Sequence, residues 1–189
     1  MKPRGRLMIE HRVTERMLDV VNREVGKMLS DRVIEPIFIK TVVDFFQTYA
    51  DRTHHGKEEE ILFKELENKN MTDKHTSLMM ELIKDHKSAR QVVLELKEAN
   101  KEYSEGHDEF SGKIISKLQF LLDIYPRHIM KEDTIFFPQT ESYFTKAELD
   151  EMLNKFTEFD SRMIHEKYSN LINEMKEKYS SKGALNGRS

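Results

Sequence analysis

Along the first 140 positions apolar residues recur at three- and four-residue steps, the spacing that keeps them on one face of an α-helix. Between Arg6 and Leu29 the stripe consists of Leu7, Leu18, Val21, Val25 and Met28. The stretch from Asp31 to Pro36 breaks it. A second helix is predicted from about Pro36 to Leu66, with Ile39, Val42, Val43, Phe46, Tyr49 and Ala50 on one side. The polar segment Glu67 to Thr72 supplies a turn. Thr72 or Asp73 can cap a third helix, built on Leu78, Leu82, Ala89, Val93 and Leu96 and ending near Glu105-Gly106. The fourth runs from about Phe110 to Phe136 through Ile114, Leu118, Leu121 and Ile124; Pro126 is a point for a kink, and Pro138 lies close to its end. Thr145 and Glu148 have the spacing of a capping box, which opens a further helix toward Tyr179. Nothing reads as a strand. The pattern predicts an all-α fold: four helices bundled over residues 1–140, an additional C-terminal helix over 141–179 packed on them, and a disordered tail over 180–189.

Composition narrows the chemistry. At 189 residues, with 34% charged residues but only 7 glycines and 4 prolines, the chain suits one bundle with an appendage and long solvated helices. It has no cysteine, which excludes disulfides, iron–sulfur clusters and thiolate zinc sites, so any metal must be held by nitrogen and oxygen. No apolar stretch is long enough to cross a bilayer and no secretory segment follows the N-terminus, so the expected setting is the cytoplasm, away from membranes. The net charge is −3, and basic residues alternate with acids along helical faces, which argues against nucleic-acid binding.

The histidines carry the informative signal. His11 stands alone in Glu10-His11-Arg12, and 43 residues later comes His54-x-x-x-Glu58. His86 stands alone in Asp85-His86-Lys87, and 42 residues later comes His128-x-x-x-Glu132. The flanks echo one another too: Glu58-Glu59-Glu60-Ile61-Leu62-Phe63 in one half, Glu132-Asp133-Thr134-Ile135-Phe136-Phe137 in the other. This is the pattern of a repeated helix–helix unit. Positions i and i+4 share a helical face, so an imidazole and a carboxylate can meet one ion. Two such helices and two lone histidines can cage a pair of ions, which in two-metal sites lie roughly 3.5–4 Å apart and can share a bridging carboxylate. Imidazole and carboxylate without thiolate suit iron or manganese, with zinc a substitute on affinity alone.

At about 100° per residue, His11 falls in the stripe of Leu7, Leu18 and Val25, His86 sides with Leu82, Ala89 and Val93, and His128 with Leu121, Ile124 and Ile135. Inward ionisable groups are costly unless paired or metal-bound. His54 competes with His55, which has Glu59 four residues on. His54 shares its side with Val43, Ala50 and Ile61, whereas the face upstream of His55 carries Asp44, Thr48, Asp51 and Arg52. On that ground the pair is assigned to His54 and Glu58, with His55 and Glu59 the alternative. His75 and His107, near turns, are expected to face solvent. A single His-x-x-x-Glu would be read as a chance pair in a metal-free bundle; the repeated set at matching offsets favours metal. A ferritin-like carboxylate site needs Glu-x-x-His, and no histidine here has a glutamate three residues before it.

The phrases His54-His55-Gly-Lys-Glu58-Glu59 and His128-Ile-Met-Lys-Glu132-Asp133-Thr-Ile-Phe-Phe-Pro138 resemble the second- and fourth-helix motifs of the hemerythrin-like, or HHE cation-binding, family over roughly residues 6 to 140. The resemblance implies an up-down-up-down antiparallel four-helix bundle enclosing a non-haem di-iron centre, oxo- or hydroxo- and carboxylate-bridged, that reacts with dioxygen, nitric oxide or peroxide. It carries over His11 from the first helix, His54 with Glu58 from the second, His86 from the third and His128 with Glu132 from the fourth. Hemerythrins proper have a second histidine one turn after the third-helix ligand, where this chain has Arg90, and an aspartate five residues after the fourth-helix histidine, where Asp133 stands. Glu132 matches the first half better. His165, in Met163-Ile164-His165-Glu166, is the candidate to supply the missing imidazole. Three functions fit: a small-molecule binder, an oxygen- or peroxide-reducing enzyme, and an iron-responsive sensor that shows a surface to a protein partner. The first is favoured.

Overall fold

In the computed structural model, which describes residues 2–160 and 164–185, every regular element among the described residues is helical. Among the described residues six longer helical runs carry the fold: α1 (Pro3–Asp31), α2 (36–67), α3 (Asp73–Ser104), α4 (111–140), α5 (Lys146–Phe159) and α6 (Ile164–Leu185). The first four form the antiparallel bundle, with α1 beside α4, α4 beside α3 and α3 beside α2.

Local chemistry sets the boundaries. Pro3 and Pro36 each sit in the first turn of a helix, where a missing N–H costs nothing. α1 ends at Arg32, whose left-handed backbone (φ 56°) lets its N–H close on the Met28 carbonyl at 3.0 Å. The Thr72 hydroxyl accepts from the His75 N–H and caps α3. α5 opens with both halves of the capping box between Thr145 and Glu148. α4 carries Pro126 within its length and continues past Phe136 to Thr140.

Two runs are not regular α-helix. α2 is π-helical over Phe46–His55 and again over Glu58–Phe63, and α4 over Glu132–Phe136. Each N–H there reaches one carbonyl further back, so more residues fit in a turn.

The buried apolar residues divide into two clusters. One lies toward Val13, Met17, Phe38, Leu96 and Leu118. The other gathers Leu7, Ile61, Phe63, Leu82 and Phe136. Between them a buried polar layer crosses all four bundle helices at His11, His54, His86 and His128. The extension covers the outside of this arrangement. Met152 and Phe156 of α5 join the second cluster, and Tyr168, Ile172 and Met175 of α6 join the first. α6 runs to Leu185, into the stretch read as tail from the sequence; residues 186–189 lie outside the described ones. No described helix is long and apolar enough to cross a membrane.

Candidate metal centre

The polar layer brings seven side chains together in two groups. His55, Glu58, His86 and His128 form one, and His11, His54, Glu58 and Glu132 the other; within each, the donor atoms lie within 4.8 Å of one another. Glu58 belongs to both. Its Oε1 is 3.4 Å from His54 Nε2 and its Oε2 3.4 Å from His86 Nε2. Glu132 also reaches both sides, with Oε2 3.1 Å from His11 Nε2 and Oε1 3.2 Å from His128 Nε2.

Each imidazole is held from behind by a carboxylate on its Nδ1. His11 meets Asp133 at 2.7 Å, His54 meets Glu10 at 2.8 Å, and His86 meets Glu59 at 2.7 Å. His55 meets Asp51 at 3.2 Å and His128 meets Asp85 at 3.4 Å. A basic side chain balances each of these acids: Arg12 on Asp133, Lys57 on Glu10, Lys131 on Asp85, and the single fork of Arg90 on both Asp51 and Glu59.

This support fixes the chemistry of the inner atoms. An imidazole that donates its Nδ1 proton outward presents a bare lone pair at Nε2. The inner nitrogens crowd together: His11 Nε2 lies 2.9 Å from His54 Nε2, and His86 Nε2 3.1 Å from His128 Nε2. Two carboxylates stand among them, and none of their four oxygens has a hydrogen-bond partner. Buried acceptors left without donors cost about 1–3 kcal/mol each, more when charged. A cation is what such a set lacks. Five imidazole nitrogens and two carboxylates, without a thiolate, fit divalent transition-metal ions.

The titration of the site follows from the same crowding. Burial, reinforced by the charge of Glu132, raises Glu58 well above the usual carboxylate range. Burial also opposes ionisation of Glu132, but His128 and His11 outweigh it and hold it well below that range. Burial lowers His54 well below the ordinary imidazole value, and His55 to about 3, with His11 and His86 adding to the effect. Both are therefore neutral at pH 7, the form that binds metal.

The structure gathers His11, His54, Glu58, His86, His128 and Glu132, all of which the sequence singles out, and corrects two choices around them. His54 and His55 do not exclude each other, because both are buried and each enters a different group. The reason is the π-helical stretch Phe46–His55: with more residues per turn, neighbouring side chains diverge less, and two in succession can face inward. Asp51, read as part of a solvated face, is the outer partner of His55. Glu59 points away from the groups to support His86. Asp133 likewise lies behind His11.

His165 does not join the two groups. Its Nδ1 pairs with the Tyr49 hydroxyl at 2.8 Å, and its Nε2 stands 3.4 Å from Asp160 and 3.5 Å from Glu10. Glu10, Asp160 and His165 are close enough to suggest a third cation position. The Lys57 ammonium already bridges Glu10 and Asp160, so that charge is met by the chain itself. Of the other histidines, His107 is exposed as expected, whereas His75 is half-buried between Tyr143 and Gln139.

The outer acids were missed, although the sequence carried a signal for them. Glu10 and Asp85 immediately precede the lone histidines, and Glu59 and Asp133 immediately follow the paired glutamates. Each acid serves a histidine on another helix, which spacing along one helix does not reveal.

The family model for the hemerythrin HHE cation-binding domain matches residues 3–140. Among curated proteins none matches the chain.

Proposed function

The chain belongs to the hemerythrin HHE cation-binding family, and from that premise we propose that it holds two iron ions and, so loaded, binds or reacts with dioxygen or a related small molecule such as nitric oxide or peroxide. One ion would be held by His55, His86 and His128 and the other by His11 and His54, with Glu58 and Glu132 available to both. The observation that carries this reading is the convergence of five buried imidazole nitrogens on four carboxylate oxygens that have no hydrogen-bond partner. Manganese or zinc could occupy the same donors. Bound iron would supply reversible one-electron chemistry and an open coordination position.

The protein's own residues do the rest. The five outer carboxylates fix ring tautomer and orientation, a role whose loss typically costs 10–100-fold in metal affinity. The two apolar clusters on either side exclude bulk water and lower the local dielectric. A cleft of about 190 Å³, walled by Phe46, Ala89, Val93 and Tyr125 with Arg90 beside it, reaches His55. Its size and apolar walls suit a small neutral molecule better than an extended substrate. We place the protein in the cytoplasm.

Elemental analysis of the purified protein is expected to find about two irons per chain, with oxo-to-iron charge-transfer absorption in the oxidised form. Protein that takes up no iron from ferrous solution would overturn the reading. Stopped-flow mixing of the ferrous form with dioxygen then separates a stable reversible adduct, expected here, from rapid oxidation with turnover, which would make the protein an oxidoreductase.

A further inference from the structure

Asp160 lies outside the 3–140 family match, at the end of α5, yet it touches the support of a candidate ligand. It is buried, and accepts hydrogen bonds from Arg6 Nη2 at 2.8 Å, Arg6 Nε at 3.2 Å and the Lys57 ammonium. Lys57 is itself fully buried and donates also to Glu10 Oε1, while Glu10 Oε2 takes the Nδ1 proton of His54. The chain of contacts runs Asp160–Lys57–Glu10–His54. Next to it Phe159 presses on Gly56, where an added Cβ would come within 2.8 Å of the Phe159 ring. The helix face between His55 and Lys57 is thus shaped to seat the extension.

The repeat provides a built-in control. In the second half Lys131 supports Asp85, which supports His128, in the same order. There the second partner of the lysine is Glu81, on the surface, and the position matching Gly56 is the exposed Met130 (57%). Water can stand in for Glu81. It cannot reach Lys57, whose side chain is 0% exposed against 21% for Lys131.

We infer that Asp160 is a positioning residue for the ion at His11 and His54, so that the C-terminal extension completes a centre whose ligands all come from the bundle. This rests on the two-ion reading above. Without Asp160 the buried ammonium keeps one carboxylate instead of two and draws Glu10 away from His54. The ring then loses the hydrogen bond that aims Nε2 inward.

The test is an anaerobic titration of the metal-free, full-length protein with ferrous iron, followed by calorimetry, and repeated with cobalt(II) for its d–d absorption. Wild type is expected to take two ions. Asp160→Asn should bind one as wild type does and the other about 10–100-fold more weakly, with the absorption of one cobalt lost at limiting metal. Glu81→Gln should bind both unchanged. Circular dichroism checks the fold. Should the Asn variant not fold, Asp160→Glu, which keeps the charge on a longer arm, is titrated instead and should weaken the same single ion several-fold. Two ions bound at unchanged affinity, equal weakening of both, or the same loss in Glu81→Gln would overturn the inference while leaving the two-ion reading intact. A wild type that takes no iron would overturn both.

Discussion

The two halves of the bundle repeat one plan and differ in how it is enclosed. In each, an acid before a lone histidine supports the histidine of the next helix, and a lysine before the paired glutamate balances that acid. In the second half this lysine, Lys131, reaches solvent. In the first, Lys57 is sealed beneath α5. The first half also carries an added imidazole, His55, with its own acid, Asp51. The second has Ile129 and Tyr125 at the matching places. Similar sequences therefore give unequal surroundings: three imidazoles on one side of the shared carboxylates and two on the other. Charge that is cheap to hold at an open surface becomes a structural commitment once it is covered.

Several changes break or sharpen this contrast. The largest effect is expected from Glu58→Gln, because Glu58 enters both groups; elemental analysis should find both ions lost, and retention of either would contradict a carboxylate shared at Glu58. His55→Ala should remove the ion of the His86 and His128 side, a loss exceeding the roughly 10–100-fold of an outer partner. Retention of two tightly held ions would return His55 to a packing role. Among the lysines, Lys57→Met leaves buried Glu10 without its ammonium partner and Asp160 held by Arg6, and should cost about 3–5 kcal/mol in urea unfolding of the metal-free protein. Lys131→Met removes only a part-exposed pair and should cost below about 1 kcal/mol. Equal costs would mean that enclosure does not distinguish the halves.

The smallest expected effect is one of acidity. Against the influence of burial, bonds from His165, Lys57 and Arg6 hold the Asp160 carboxyl far below its ordinary range. A lowered carboxyl stabilises the fold fully above its unfolded pKa of about 4. That contribution is lost as pH falls from there toward the folded value. Metal-free wild type should therefore lose stability to urea on acidification below about pH 4, and Asp160→Asn should show a shallower slope over the same window. Parallel slopes would remove Asp160 from the account.

Much of the fold could be read from apolar periodicity and end signals. Pro36, Thr72 and the Thr145–Glu148 box each mark a helix start in the structure as in the sequence. The six repeated ligand candidates were legible because repeat spacing survives whatever the local backbone does. His55 was not, since a fixed 100° step describes an α-helix and α2 is π-helical where it matters. Four of the five outer acids escaped for a different reason: their partners lie on another helix, a relation fixed only when the helices pack. His165 shows the limit of counting donors. A histidine at a plausible place in the chain was assigned to the missing imidazole, while packing sends it to Tyr49 and Asp160.

The unequal spacings of the repeat, 43 residues in one half and 42 in the other, take on a physical sense beside the π-helical stretch at Phe46–His55. From the start of the helix to its histidine there are 18 residues from Pro36 to His54 and 17 from Ser111 to His128. A helix can absorb one surplus residue by widening a turn without breaking its axis. In α2 the widened stretch goes with a second ring turned into the interior, and the pocket is lopsided. On the two-ion proposal, lopsidedness of that kind would let the two positions differ in how much room each leaves for a visitor.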